Sequence, residues 1–291
     1  MDWLTSYKLP IGQGAKAFVD WLTTSGEWLF NALSTILQAS INVLLFLLQG
    51  PFLKGTAFEP FYPLLIIALS AAFAWYMRRS LGITLFTALG LLLIVNQGYW
   101  KETTETLALV LAASAVSMTV GIPLGIAAAR RPVVYAVMRP ILDLMQTIPT
   151  FVYLIPALIL FGLGMVPGLI ATVIFAIPAP IRLTRLGIIS TPPSLVEAAQ
   201  AFGATPGQVL KKVELPFAMP QIMAGLTQTI MLSLSMVVIA ALVGANGLGV
   251  PVVRALNSVN VAKGFEAGLC IVILAIILDR VFRTSDAGDV A

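Results

Sequence analysis

Carboxylates are the side chains of this sequence best suited to chemistry, and few of them lie near bilayer depth. Glu102 and Glu105 sit at a membrane face where a long apolar run begins, and Asp143 stands four residues after Arg139. That spacing places Arg139 and Asp143 on one helix face, so an i,i+4 ion pair with a structural part is expected there. A carboxylate at the centre of a membrane helix costs about 2.5–3.5 kcal/mol. A proton- or sodium-coupled carrier keeps such a group because it does work, and this chain offers no clear one. It has no histidine to relay protons or hold a metal, and its one cysteine, Cys270, lies in an apolar run. No G-x-x-x-x-G-K-S/T phosphate loop occurs. The residues therefore imply no catalytic constellation, no metal site and no bound cofactor, and they favour an energy source outside the chain.

The most structured polar interval is Ser194 to Pro216, SLVEAAQAFGATPGQVLKKVELP. Pro192 and Pro193 lead in, and Ser194 followed by Glu197 has the form of a capping box opening a short helix. Gly203 is placed to end that helix in the left-handed conformation. Thr205, Pro206 and Gln208 repeat the start signal, and the second helix is expected to stop at Leu215-Pro216. Two short helices about a glycine elbow, held between membrane segments, form a knob suited to docking on another protein.

The residues Glu197-Ala198-Ala199, Gly203 and Val213-x-Leu215-Pro216 resemble the EAA loop of the permease subunits of ABC importers, with Val213 where isoleucine is usual. The resemblance implies that the loop is cytoplasmic and couples the permease to a separate ATPase through Glu197, Ala198, Ala199, Gly203, Leu215 and Pro216. ATP and magnesium would then be bound by that ATPase.

These segments need a membrane scaffold. The chain is 59% hydrophobic and 10% charged over 291 residues, with mean hydropathy +0.97, which marks an integral membrane protein. The N-terminus has no signal-peptide cleavage pattern, since Asp2, Lys8 and Lys16 precede any apolar run. Residues 1–60 read as an N-terminal segment in which Trp3, Trp21 and Trp28 suit an interface. Within it, Glu27–Gln49 is long enough to span a bilayer. Its stripe of Glu27, Asn31, Ser34, Thr35, Gln38 and Asn42 favours an amphipathic helix on the outer surface. Residues 50–60 read as a break.

Residues 61–283 read as the membrane domain. Spans are expected at 61–77, 81–95, 104–129, 147–163, 168–181, 219–243 and 265–282, with an amphipathic link over 133–146, and 284–291 as a cytoplasmic tail. The fold class is thus all-α with seven membrane helices, or eight if Glu27–Gln49 spans. With the knob inside, Arg78, Arg79, Arg130, Arg131, Arg139, Arg182, Arg185, Lys211, Lys212, Arg280 and Arg283 all fall inside. Only Lys54, Lys101, Arg254 and Lys263 fall in the short outer loops, in keeping with the positive-inside rule, although seven spans leave Lys8 and Lys16 outside as well and eight would bring the N-terminus inside. The net charge of +4 is therefore a topology signal and implies no nucleic-acid partner.

From Arg139 to Leu163, Pro149 and Pro156 are expected to interrupt an apolar helix. The run Met145-Gln146-Thr147-x-Pro149-x-Phe151-Val152-Tyr153-Leu154-Ile155-Pro156 is similar to that of permeases for glycine betaine, proline betaine and choline. Residues 232–240 and 275–280 point the same way. This resemblance implies a type I ABC importer permease in a bacterial inner membrane, acting in osmoprotection. It implies a homodimer served by two ATPase subunits and an external solute-binding protein. It makes Gln146, Thr147, Pro149, Phe151 and Tyr153 candidates for the solute path, because aromatic faces hold quaternary ammonium groups. An ABC permease for an amino acid or other small cation, and an ion-coupled carrier or channel, stay open. Gly121-x-x-x-Gly125 suits close helix approach, and Asn246-Gly247-Leu248-Gly249 marks a turn on the outer side.

Overall fold

The computed structural model describes residues 10–50, 55 and 61–283, and every regular element among them is helical. Trp3, Lys8, Lys54, nearly all of the 50–60 break and the 284–291 tail lie outside the described residues. Helices α1 (Ile11–Ser25) and α2 (Glu27–Gln49) lead to an antiparallel pair, α3 (Tyr62–Arg78) and α4 (Leu81–Asn96). The longest regular helix, α5 (Trp100–Arg130), has 31 residues and is about 46 Å long at 1.5 Å per residue. Then come α6 (Pro132–Thr147), α7 (Thr150–Phe161), α8 (Met165–Ala176) and α9 (Pro178–Ile189). The knob holds α10 (Pro193–Ala201) and α11 (Pro206–Val209), and the chain ends in α12 (Leu215–Ala241), α13 (Gly249–Asn257) and α14 (Val261–Phe282).

Among the described residues five helical runs are long and apolar enough to cross a membrane, one of them 165–189 across α8 and α9. The α6–α7 pair adds a sixth, bent by 98°. Helices α3 and α4, of 17 and 16 residues, are shorter apolar segments. With these two the apolar segments number eight among the described residues, α2 being one of the five long runs. Leu37 and Ile41 of α2 are buried against the bundle, while Asn31, Thr35 and Asn42 of its polar stripe are exposed.

Two boundaries differ from expectation. The span expected at 168–181 continues as one 25-residue run from Met165 to Ile189. Pro149 breaks the chain, because it lacks an N–H and forces the preceding Ile148 into an extended conformation at ψ 131°. Pro156, expected to interrupt as well, sits inside α7. Pro123 and Pro220 likewise lie inside α5 and α12.

The core is a stack of α5, α9 and α12 joined through small residues. A Cβ on Gly121 would lie 2.7 Å from the Pro180 ring, and one on Gly125 would lie 2.8 Å from the Ile181 carbonyl oxygen. On the other side of α9, a Cβ on Gly187 would meet Ala218 at 2.8 Å. Tails of lipid are as apolar as leucine, so helices in a membrane gain by this close backbone approach rather than by burying oily surface. The Gly121–Gly125 pair is therefore a packing device between α5 and α9.

Candidate coupling site and solute path

Local chemistry shapes the knob almost unaided. Gly203 has φ +81°, and the amides of Gly203 and Ala204 donate to the carbonyls of Gln200 and Ala199 at 2.9 and 3.1 Å. This paired closure ends α10 and is open to glycine at little cost. At the start of α11, the Thr205 amide donates to Gln208 Oε1 at 2.8 Å and the Gln208 amide donates to Thr205 Oγ1 at 3.4 Å. The second capping box is thus real. The first is not: α10 begins at Pro193, and the Ser194 side chain caps nothing. Proline at the first helical position needs no N–H partner, so the helix starts one residue earlier and Ser194 falls inside its first turn.

The expected stop at Leu215-Pro216 is also corrected. Residues Leu210–Glu214 form a π-helical turn that joins α11 directly to α12. The wider turn accommodates a proline whose missing N–H and ring disfavour ordinary helical bonding just there. The knob is consequently continuous with the membrane helix.

Helix α10 buries none of its residues within the chain. Glu197 and Ala198 are exposed, Ala199 is half-buried, and the Glu197 carboxylate forms no hydrogen bond or ion pair among the described residues. Phe202, at the elbow, is 93% exposed. The sequence reading passed over Phe202, although an aromatic side chain beside a turn glycine in a polar interval was the available signal. Arg130 ties the knob to the end of α5. Its guanidinium donates to the Pro206 carbonyl at 3.1 Å and to Glu214 Oε2 at 2.7 Å, so one side chain holds both ends of the second coupling turn.

The other inner cations gather at this same end. Arg78 donates to the Arg283 carbonyl, and Arg283 shares a cavity with Gln221 at the start of α12. Asp143 pairs with Arg182 at 2.6 Å and not with Arg139, because α9 brings a guanidinium closer than the helix's own neighbour. Arg185 lies 3.5 Å over the Tyr135 ring. Lys101, Arg254 and Lys263 instead line one cavity at the far end.

The five path candidates sit around the α6–α7 elbow without converging on one pocket. The Tyr153 hydroxyl donates to the carbonyls of Leu144 and Met145, at 3.2 and 2.8 Å, tying α7 to the last turn of α6. Phe151 is 56% exposed. Thr147 and Pro149 are exposed at the bend, and Gln146 is half-buried. A different polar face went unnoticed in the sequence. On α12, Gln221, Ala224, Gln228 and Ser235 are exposed at spacings of three, four and seven residues, one stripe about 21 Å long. Gln221, Gln228 and Asp279 line a cavity of about 570 Å³ between α12 and α14. From Ile222 to Ala241 the other residues of α12 are buried or half-buried, so an exposed polar face on it stands out.

Residues 121–288 match the family described as binding-protein-dependent transport system inner membrane component. The chain is 46% identical over 274 residues to the glycine betaine transport system permease protein OpuAB of Bacillus subtilis, covering 94% of this chain and 93% of that one. It is 41% identical over 280 residues to the glycine betaine/proline betaine transport system permease protein ProW of Escherichia coli, covering 96% and 71%. In structure it is similar to a chain of the inward-facing MetNI methionine ABC transporter, with TM-score 0.56 and 25% identity over 62% of this chain and 92% of that one. With the all-helical bundle and its exposed, glycine-hinged knob, these likenesses establish that the chain belongs to the inner membrane components of binding-protein-dependent transport systems, the type I permease subunits of ABC importers.

Proposed function

We propose that this chain is the non-catalytic permease of an importer for glycine betaine or a closely related quaternary amine in a bacterial inner membrane. The observation that carries the solute is the 46% identity, over nearly the whole chain, to a permease named for glycine betaine. Two copies enclose the path about a twofold axis, the commonest oligomer symmetry. Two ATPase subunits, holding ATP and magnesium, seat on α10 and Phe202, and a solute-binding protein docks on the opposite face. ATP-driven closure pushes the knob, and the unbroken join through Leu210–Glu214 carries that movement into α12. Each bound partner thereby shifts a two-state equilibrium between inward- and outward-open forms.

The solute meets the α12 stripe of Gln221, Gln228 and Ser235, whose amides and hydroxyl bind a zwitterion weakly enough to release it. Gln146, Thr147, Pro149, Phe151 and Tyr153 form the hinge beside that path, with Phe151 the aromatic face available to an onium group. Solute-stimulated ATPase activity of the reconstituted importer, compared across betaine, choline, proline and carnitine, tests the reading. Glycine betaine is expected to stimulate most. Equal stimulation by all four, or a maximum with proline, would sink the solute assignment. Uptake that survives ATP depletion but collapses with an ion gradient would sink the ATP-driven mechanism.

A further inference from the structure

At the end remote from the knob, a cavity of about 500 Å³ opens between the first turn of α5, the turn at Asn246-Gly247, and helices α13 and α14. Its walls carry Tyr99, three cations (Lys101, Arg254 and Lys263) and two carboxylates, Glu102 and Glu105. The pattern at the knob end is different, since there Arg130 and Arg182 each close onto a carboxylate. Here no cation among the described residues lies within 4.0 Å of either glutamate. Glu105 is 7% exposed, lines the cavity, and has no hydrogen bond or ion pair among the described residues; Lys101, one turn earlier on α5, favours its charge only at longer range, and Glu102 opposes it. A carboxylate buried that far is strongly destabilising unless something supplies a positive or donating partner.

The walls are fixed before any ligand arrives. The Leu248 amide donates to Thr106 Oγ1 at 2.8 Å, one residue beyond Glu105. Gly247 has φ +129°, and a Cβ there would lie 2.6 Å from the same hydroxyl. Across the cavity, Asn260 Oδ1 accepts from the Lys263 amide at 3.1 Å and caps α14. Such preorganisation lowers the ordering cost of binding. The volume falls in the range of small-molecule sites. A ligand with one charge gains from one set of wall residues and is repelled by the other. A small zwitterion satisfies both.

We propose that this cavity is a low-affinity acceptor site for a small zwitterion carrying an onium group and a carboxylate. The onium group sits against Glu105 and Glu102 beside Tyr99, and the carboxylate faces Arg254 and Lys263. The proposal rests on the reading that the transported solute is of the glycine betaine class. It places the permease's own first contact with solute, once the binding protein has released it, in this cavity, ahead of the α12 stripe.

The test uses the assembled importer without its binding protein, with radiolabelled glycine betaine in equilibrium dialysis. Saturable binding is expected, and choline and acetate, each with one of the two charges, compete at least about tenfold less well. Glu105→Gln and Arg254→Gln each weaken binding about tenfold, the loss of one charge-assisted contact, while Arg254→Lys retains it. Elution volume and retention of the ATPase subunits confirm that each variant is assembled. Four results would overturn the proposal: no saturable binding, competition by choline equal to that by glycine betaine, affinity indifferent to both substitutions, or variants that lose only binding-protein-stimulated ATPase activity. That last result would make the cavity a docking surface. ATPase stimulation by glycine betaine with the binding protein present separates the two readings: without it the solute assignment fails, and with it a negative dialysis removes the cavity site alone.

Discussion

Gly125 and Arg130 lie five residues apart on α5 and join it to two different neighbours. Gly125 admits the backbone of α9, and any larger residue must push Thr184 and the Ile181 carbonyl aside. Overpacking of this kind costs about 1–3 kcal/mol. Gly125→Val is expected to lower the thermal midpoint of the purified protein by a few degrees. Gly203→Ala, which has open space around it, should shift that midpoint less, because its strain at φ +81° is confined to an exposed turn. Arg130 acts differently. Its pair with Glu214 is partly solvated, with side-chain exposures of 31% and 15%, so its worth in stability is below about 1 kcal/mol. Its effect should appear in coupling. Arg130→Ala is expected to cut solute moved per ATP, Glu214→Ala to cut it less because the Pro206 contact survives, and the double substitution to do no more harm than Arg130→Ala, since the Arg130–Glu214 pair is lost in all three. Additive losses in reconstituted vesicles would mean that the two residues act separately.

At the scale of elements, the lever proposed for the knob rests on the unbroken helical join between α11 and α12. The elbow at Gly203 must also stay rigid for a push to pass through it. Gly203→Pro and Glu197→Lys are expected to let ATP hydrolysis run without uptake while leaving the protein in the membrane, and normal transport by both would remove the coupling role. Phe202, 93% exposed between the small residues Ala201, Gly203 and Ala204, has the character of an interface anchor. Phe202→Asp should weaken capture of the ATPase subunit by about thirtyfold or more, the loss of a hot-spot aromatic, as read by the ATPase retained on the immobilised permease.

What the sequence foretold about these elements follows the range of the forces involved. Gly203 and the Thr205–Gln208 box are decided within four residues, and both were legible. Ser194 was mistaken for the cap because Pro193 competes for the same boundary and moves the cap to Pro192. Asp143 was assigned to Arg139 because spacing carries no knowledge of Arg182, which is 39 residues away. The α12 stripe was hidden for a related reason: glutamines on a membrane helix become informative once their neighbours are known to be packed. The alternation of basic clusters, by contrast, answers to the membrane as a whole, so it sorted the two ends without any contact being known.

The whole molecule poses the question of what covers the α12 stripe. Gln221, Gln228 and Ser235 are exposed along a helix whose other faces are packed against α5, α8, α9 and α14. Three polar residues facing lipid are costly, since their hydrogen-bonding groups find no partner there. Facing a water-filled path between two copies of the chain, they are solvated. The two arrangements give opposite chemistry at one atom. Cys270 is 1% exposed, so a thiol placed at position 235 or 228 is the reactive one. With Ser235→Cys or Gln228→Cys, a thiosulfonate reagent bearing a trimethylammonium group, which enters water and not lipid, should label the assembled importer. Glycine betaine and ATP should alter the labelling rate as the path opens and closes, and a short bifunctional crosslinker should join two copies. A lipid-soluble maleimide that labels these positions where the charged reagent does not would place the stripe against the bilayer, and the twofold path would then have to be built from another face.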